Sequence, residues 1–263
     1  MNTFRSELLK IRSLAAGWAT ATGLLLVTLI ALLFWYLVLQ SQITPQSDLR
    51  ASAPDLTETV FTSGQYFGLL LTMIFGVTIV TSEYTHQTIT ATFLATPKRS
   101  RVVVAKILAG IFCALWFFAI STVLAVGGGT AILVSLGVPV SAGLPTGLGA
   151  VALNALAYLV WVVFGVGLGT MVRNQVFAVV AAIVLYLGEL GSQLVFPQLA
   201  SAFDQEWILS LQYYLPGGAS RAMTSLVPAD GVPAWWVAAL VLLCYGVVTT
   251  AYGTLITAAR DVS

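Results

Sequence analysis

Six apolar stretches divide the chain, at residues 18–39, 64–81, 103–126, 149–171, 177–195 and 234–257. Each is of the length, about 20 residues, that an α-helix needs to cross a hydrocarbon core. No barrel-like alternation is present, and a helix satisfies its own backbone hydrogen bonds in lipid. The pattern predicts an all-α integral membrane protein with six transmembrane helices. The second stretch is the weakest, being short and opened by polar residues.

The polar segments complete the layout. Near the start, Phe4, Leu8 and Ile11 recur at helical spacing with Arg5, Lys10 and Arg12 between them, which predicts a short amphipathic elbow helix lying among the headgroups. The first apolar stretch is too long for a signal-peptide core and no small-residue cleavage site follows it, so it is read as a span. Residues 40–62 read as a polar loop containing Pro45 and Pro54. Gly137, Pro139, Gly143, Pro145 and Gly147 predict a turn-rich second loop on the same side. The third, residues 196–233, carries Phe203, Trp207, Tyr213 and Tyr214, then Pro216, Gly217, Gly218 and an amphipathic stretch to Leu226. Interfacial aromatic belts place such a segment on the outer membrane surface.

Composition agrees: 59% of residues are hydrophobic and 8% charged, against about a quarter charged in soluble domains. The chain is expected to form one domain over residues 1–263. With the amino terminus in the cytoplasm, nine Lys and Arg residues fall inside and only Arg50 and Arg221 outside, so the positive-inside rule puts both termini in the cytoplasm. A net charge of +1 without a basic soluble face excludes nucleic acid as a partner; the partner composition does imply is the lipid bilayer.

Little in the chain can do covalent chemistry. His86 is the single histidine, and the sequence holds no HExxH, no G-x-S-x-G and no phosphate-binding GxxxxGK[ST] loop. No catalytic residue, metal site or bound cofactor is expected, and nucleotide hydrolysis would have to occur on another chain. Cys113 and Cys244 lie in apolar runs and read as small apolar side chains. Glu189 is the one charge well inside a predicted span. It could bind a cation or relay a proton on a substrate pathway, or it could be a hydrogen-bonded structural group; the sequence leaves both open. Gly165, Gly167 and Gly169 suit close helix approach.

The most informative segment is SEYTHQTITATFLATPKRSRVVVAK, residues 82–106, between spans two and three. A polar stretch from Tyr84 to Thr96 can form a helix, which Pro97 ends. The basic cluster Lys98, Arg99, Arg101 and Lys106 is expected to anchor the next span at the headgroups. A short helix held against the membrane by a span at each end can take a push from a soluble partner and pass it to both.

In this segment the chain resembles the permease subunits of type-2 ABC exporters, the group of bacterial drug, antibiotic and sodium efflux permeases. Glu83 matches the acid that ends their second span; Thr88, Leu94, Pro97, Arg99, Arg101 and Lys106 match in order, while Gln87 stands where glycine is usual. The turn at Arg173 and Asn174 and the Pro-Gly segment before the last span fit the same layout. The resemblance implies a cytoplasmic coupling helix that carries Glu83, Tyr84, His86, Thr88, Leu94 and Pro97, with Arg99 and Arg101 beyond it. It further implies separate cytoplasmic ABC ATPase subunits holding ATP and Mg, a second permease (identical or different), a bacterial plasma membrane, and export of a small-molecule or lipid-like substrate. A reading of another class is a stand-alone secondary transporter or channel with Glu189 as its ion-coupling group.

Overall fold

The computed structural model describes residues 2–42, 49–95, 99–172, 174–224 and 231–259. The described residues form helices joined by turns, without a strand among them. In chain order these are α1 (Asn2–Ser13), α2 (Ala15–Gln42), α3 (Leu49–Phe61), α4 (Gln65–Thr85), α5 (Ile89–Ala95), α6 (Arg99–Ser135), α7 (Val140–Met171), α8 (Gln175–Phe203), α9 (Trp207–Leu211), α10 (Pro216–Thr224) and α11 (Trp235–Ala259); one 3-10 turn, Gln212–Tyr214, follows α9. Among the described residues, six helical segments are long and apolar enough to cross a membrane: Ala15–Gln42, Ser52–Thr85, Ser100–Ser135, Val140–Met171, Gln175–Phe203 and Trp235–Ile256.

The second and fourth of these form the centre. In their most apolar 18-residue stretches 61% of the residues are buried within the protein, against 22–28% for the other four, whose outward faces carry residues such as Ile30, Phe34, Trp116, Val184 and Val248. A central position explains why the second apolar stretch reads as weak. Its hydroxyls face protein and are satisfied along their own helix, Thr72 donating to the Gly68 carbonyl at 2.8 Å and Thr81 to that of Val77 at 3.0 Å. At the α4–α7 crossing, a Cβ on Gly76 would lie 2.5 Å from the Val162 carbonyl oxygen, and one on Gly165 would collide with that of Met73. Backbone meets backbone there, as small residues permit. Gly169 faces α4 as well, while Gly167 packs on Thr249 and Thr250 of α11.

Three loop expectations are corrected. Residues 49–61 of the expected polar loop form α3, with Pro54 in its second turn; Pro45 lies outside the described residues. Ala53, Thr57, Val60 and Phe61 are buried, and this stripe at helical spacing packs on α6 and α7. The turn-rich second loop shrinks to a turn at Gly137 (φ 77°), because α7 already begins at Val140. Gly143 and Gly147 are helical and let Ala53, Thr57 and Phe61 of α3 approach. The amphipathic stretch after Pro216 does not rest on the surface. Every residue of α10 is buried except Arg221, and the helix packs on α7, α8 and α11. Its Ser220 hydroxyl accepts a 2.9 Å hydrogen bond from the indole of Trp161, one of the largest fully buried side chains.

Candidate functional site

Where α4 ends and α6 begins, the chain gathers four charges into a closed ring. Lys10 Nζ lies 2.8 Å from Glu7 Oε1 and 2.8 Å from Glu83 Oε1. Lys106 Nζ lies 2.8 Å from Glu7 Oε2 and 2.9 Å from Glu83 Oε1. Each ammonium also donates its remaining proton, Lys10 to Thr92 Oγ1 of α5 at 3.2 Å and Lys106 to the Ile79 carbonyl of α4 at 3.3 Å. The ring therefore ties together α1, the end of α4, α5 and α6. Two acids and two bases alternate around it, so its net charge is zero.

Burial makes the pairing obligatory. The side chains of Glu7, Glu83 and Lys106 are 4%, 6% and 3% exposed, while Lys10 is the open corner at 38%. A buried charge that loses its partner is costly, whereas a complete network offsets much of the desolvation. At Lys10 burial works against the charged form, but hydrogen bonds and charge from Glu7 and Glu83 outweigh it and hold the ammonium above its ordinary pKa. Glu83 Oε2 is buried and has no hydrogen-bond partner among the described residues. A cleft of about 530 Å³ opens beside the ring, lined by Glu7, Lys10, Glu83, His86 and Lys106 among others.

The turn after α4 is set by backbone geometry. Thr88 N–H donates to the Glu83 carbonyl at 2.9 Å and Gln87 N–H to that of Tyr84 at 3.2 Å. These two bonds and the positive φ of Gln87, 56°, make a Schellman ending. Gln87 thus adopts the left-handed conformation that glycine fills most readily. From this turn α5 runs outward, and its Leu94 is 79% exposed.

The predicted residues separate into groups. Glu83 belongs to the ring. Tyr84 is half-buried and, with Thr85, lines a second cleft toward Asn174 and Gln175. His86 caps α4 and is exposed, Thr88 precedes α5, and Arg101 is exposed on α6. The expected helix over 84–96 is interrupted at His86–Thr88, so only Ile89–Ala95 forms α5. Pro97 lies outside the described residues, and for Arg99 the backbone alone is described. Lys106 does not sit among headgroups with the basic cluster: it is two turns into α6 and buried in the ring.

Glu7 and the pairing of Lys10 escaped the sequence reading, although a signal was present. Glu7 falls on the same helical stripe as Phe4, Leu8 and Ile11, and an acid in an apolar stripe asks for a buried cation.

Glu189, on α8, lies near Tyr66 at the other end of α4, and Tyr66 is about 25 Å along that helix from Glu83 at 1.5 Å per residue. It is buried, its Oε1 3.3 Å from Arg221 Nε of α10 and 3.4 Å from the Gln193 amide. Gly217 packs directly on it. Asn174 caps α8, its side chain accepting from Val176 and Phe177 N–H groups at 3.0 and 3.2 Å.

Comparison with curated proteins finds no match. The family described as ABC-2 family transporter protein matches residues 3–189, a span that begins in α1, contains all four members of the ring and ends at Glu189. Because that match takes in well over half of the chain, the protein belongs to the ABC-2 family of transporter proteins.

Proposed function

We propose that this ABC-2 permease exports a small-molecule or lipid-like substrate, driven by ATP that separate cytoplasmic ATPase subunits hydrolyse. Residues 83–97 are the coupling segment on which an ATPase subunit docks, with Arg99 and Arg101 flanking it. ATP and Mg belong to that subunit, and the whole chain, residues 1–263, acts as one permease domain with both termini in the cytoplasm. Two such permeases, identical or different, pair in a bacterial plasma membrane, and the substrate passes between them.

The observation that carries this reading is the contrast across one turn. Glu83 is buried in a charge network reaching three other helices, and eleven residues on, beyond the turn, Leu94 stands 79% exposed on the short helix α5. An outward apolar side chain suits a groove on a soluble partner, and the buried end suits transmission. ATP binding would then shift the permease between two arrangements by favouring one of them.

Co-purification tests it. The tagged chain, extracted in mild detergent, should bring a stoichiometric ATP-binding subunit with vanadate-sensitive turnover. Charge reversal at Arg99 and Arg101 together with replacement of Pro97 should weaken both. A chain that purifies alone, or a complex indifferent to those changes, would overturn the coupling assignment.

A further inference from the structure

We infer that the cleft beside the break in the second span binds an organic cation through its N–H groups, an ammonium or guanidinium carried by a small molecule. The site lies at the end of the bundle opposite the charge ring and does not depend on how an ATPase subunit docks.

The break makes the site. One apolar segment runs from Ser52 to Thr85, but it is interrupted between α3 and α4. Gly64 there has φ 82°, and a Cβ on it would lie 2.9 Å from Thr28 Cα, so the break sits hard against α2. A cleft of about 320 Å³ opens at this point, at the small end of ligand-binding cavities. Four helices line it: α2 with Trp35, α3 with Glu58, α4 with Gln65 and Tyr66, and α10 with Arg221 and Thr224.

Charge and hydrogen-bond polarity select the occupant. Glu58 and Glu189 carry two negative charges and Arg221 one positive charge, so the described charged side chains at the cleft sum to −1. The guanidinium is already engaged, its Nε 3.3 Å from Glu189 Oε1. The hydroxyls lining the cleft spend their protons on their own helices: Thr62 donates to the Glu58 carbonyl at 2.9 Å, Ser63 to that of Val60, and Thr224 to those of Ser220 and Arg221 at 3.1 and 3.2 Å. Only lone pairs remain for these three to offer a ligand. Gln65 Oε1 is a further acceptor, buried and without a hydrogen-bond partner among the described residues. The Tyr66 hydroxyl, buried and unpartnered in the same way, can accept as well as donate. Buried polar atoms are ordinarily paired, and a cationic group with several N–H donors satisfies these acceptors and the charge together. An anion would place a third negative group beside two carboxylates. The rings of Trp35 and Tyr66 offer apolar surface to the carbon skeleton of the ligand.

The test is a ligand series on the full chain purified in detergent, read by tryptophan fluorescence and by thermal shift. Hexylammonium should bind saturably. N,N,N-trimethylhexylammonium has the same charge but no N–H, and hexanoate has the opposite charge; both should bind at least about tenfold more weakly, the usual worth of a hydrogen bond to a charged group. Glu58→Gln and Gln65→Leu should each weaken hexylammonium by a similar factor. No saturable binding of hexylammonium, equal binding of the trimethyl compound, stronger binding of hexanoate, or an affinity unchanged in both variants overturns the inference. The ligand series uses the unaltered chain, so it decides the matter even where a variant does not fold.

An ammonium can reach this cleft as cargo or from the surrounding medium, and vesicles carrying the permease with its ATPase separate the two. ATP-dependent accumulation of labelled hexylammonium marks the cleft as a stage on the export path, and saturable binding without accumulation marks it as a site for an amine from the medium; both results keep the site. A chain that purifies without an ATPase would end the export reading and leave the binding result untouched.

Discussion

Glu83 and Thr88 are joined across the turn that ends α4, the Thr88 N–H donating to the Glu83 carbonyl at 2.9 Å. The same glutamate holds both lysines of the ring with its side chain. One residue thus fixes the direction in which α5 leaves the bundle and the charge network that anchors its base. The acid ending the second span reads in sequence as a family mark, and the structure gives it two mechanical tasks.

The turn makes Gln87 a position where glycine should stabilise. A non-glycine residue in the left-handed region costs about 1–2 kcal/mol, partly offset by the larger conformational entropy that glycine loses on folding. Gln87→Gly is expected to raise the melting temperature in detergent, and Gln87→Val to lower it because a β-branched side chain fits this region worst. A drop on introducing glycine would show that the Gln87 side chain contributes more than its backbone strain costs.

The two lysines of the ring should differ in their effect on stability. Lys106→Met leaves two carboxylates in a nearly dry site with one partly exposed cation, and breaking a buried pair in this way costs about 3–5 kcal/mol. Lys10→Met removes the corner that is 38% exposed and leaves Lys106 bridging both acids, so its cost should be clearly smaller. Thermal unfolding of the purified variants measures the order; equal losses would contradict the burial seen at each corner.

The raised pKa of Lys10 fixes the sign of its pH dependence. A cation held above its unfolded value contributes its full stability below that value, about 10.4 for lysine, and loses it as pH rises through the folded pKa. The difference in stability between the wild type and Lys10→Met should therefore stay constant from neutral pH to about 10 and shrink above it. A difference that narrowed already between neutrality and pH 9 would place another titrating group in control.

How far the sequence was legible depends on what each side chain faces. Apolar run length reveals the number of spans because lipid demands it, and each of the six expected stretches coincides with an observed helix, the second and last starting one residue ahead of theirs. Helix ends are less visible where glycine and proline serve packing, as Gly143 and Gly147 do against α3. α3 itself was hidden by polar residues on its open side, although Ala53, Thr57, Val60 and Phe61 keep a helical stripe. The ring was half legible: Glu83 and Lys106 fall in a recognisable segment. Glu7 becomes informative only once its stripe is seen to be buried, and its distance from Glu83 along the chain conceals the pairing.

Two glycines provide a contrast in packing. A Cβ at Gly165 would meet the Met73 carbonyl oxygen at the α4–α7 crossing, whereas one at Gly188 would have no atom within 4 Å. Gly165→Ala should lower stability by about 1–3 kcal/mol, the usual range for overpacking. Gly188→Ala should leave the melting temperature level or slightly higher, since alanine is the better helix former. If both substitutions were tolerated alike, α4 and α7 would have to be able to separate freely.

At the opposite end, the pair of Glu189 and Arg221 should respond asymmetrically. The side chain of Arg221 is 42% exposed and that of Glu189 only 5%, so each is left in a different situation when its partner is removed. Glu189→Gln keeps the shape against Gly217, and the released guanidinium can turn to water; the cost should be small. Arg221→Met instead leaves a buried carboxylate with only the longer Gln193 contact at 3.4 Å, a loss of about 1–3 kcal/mol or more for a charged group. The double variant should then be more stable than Arg221→Met alone, because the amide no longer needs a counter-charge. A double-mutant cycle by thermal unfolding reads this sign directly. Additive losses would mean that the two side chains are near each other without depending on each other, and that α10 is held in the bundle chiefly by Trp161, Ser220 and its own buried surface.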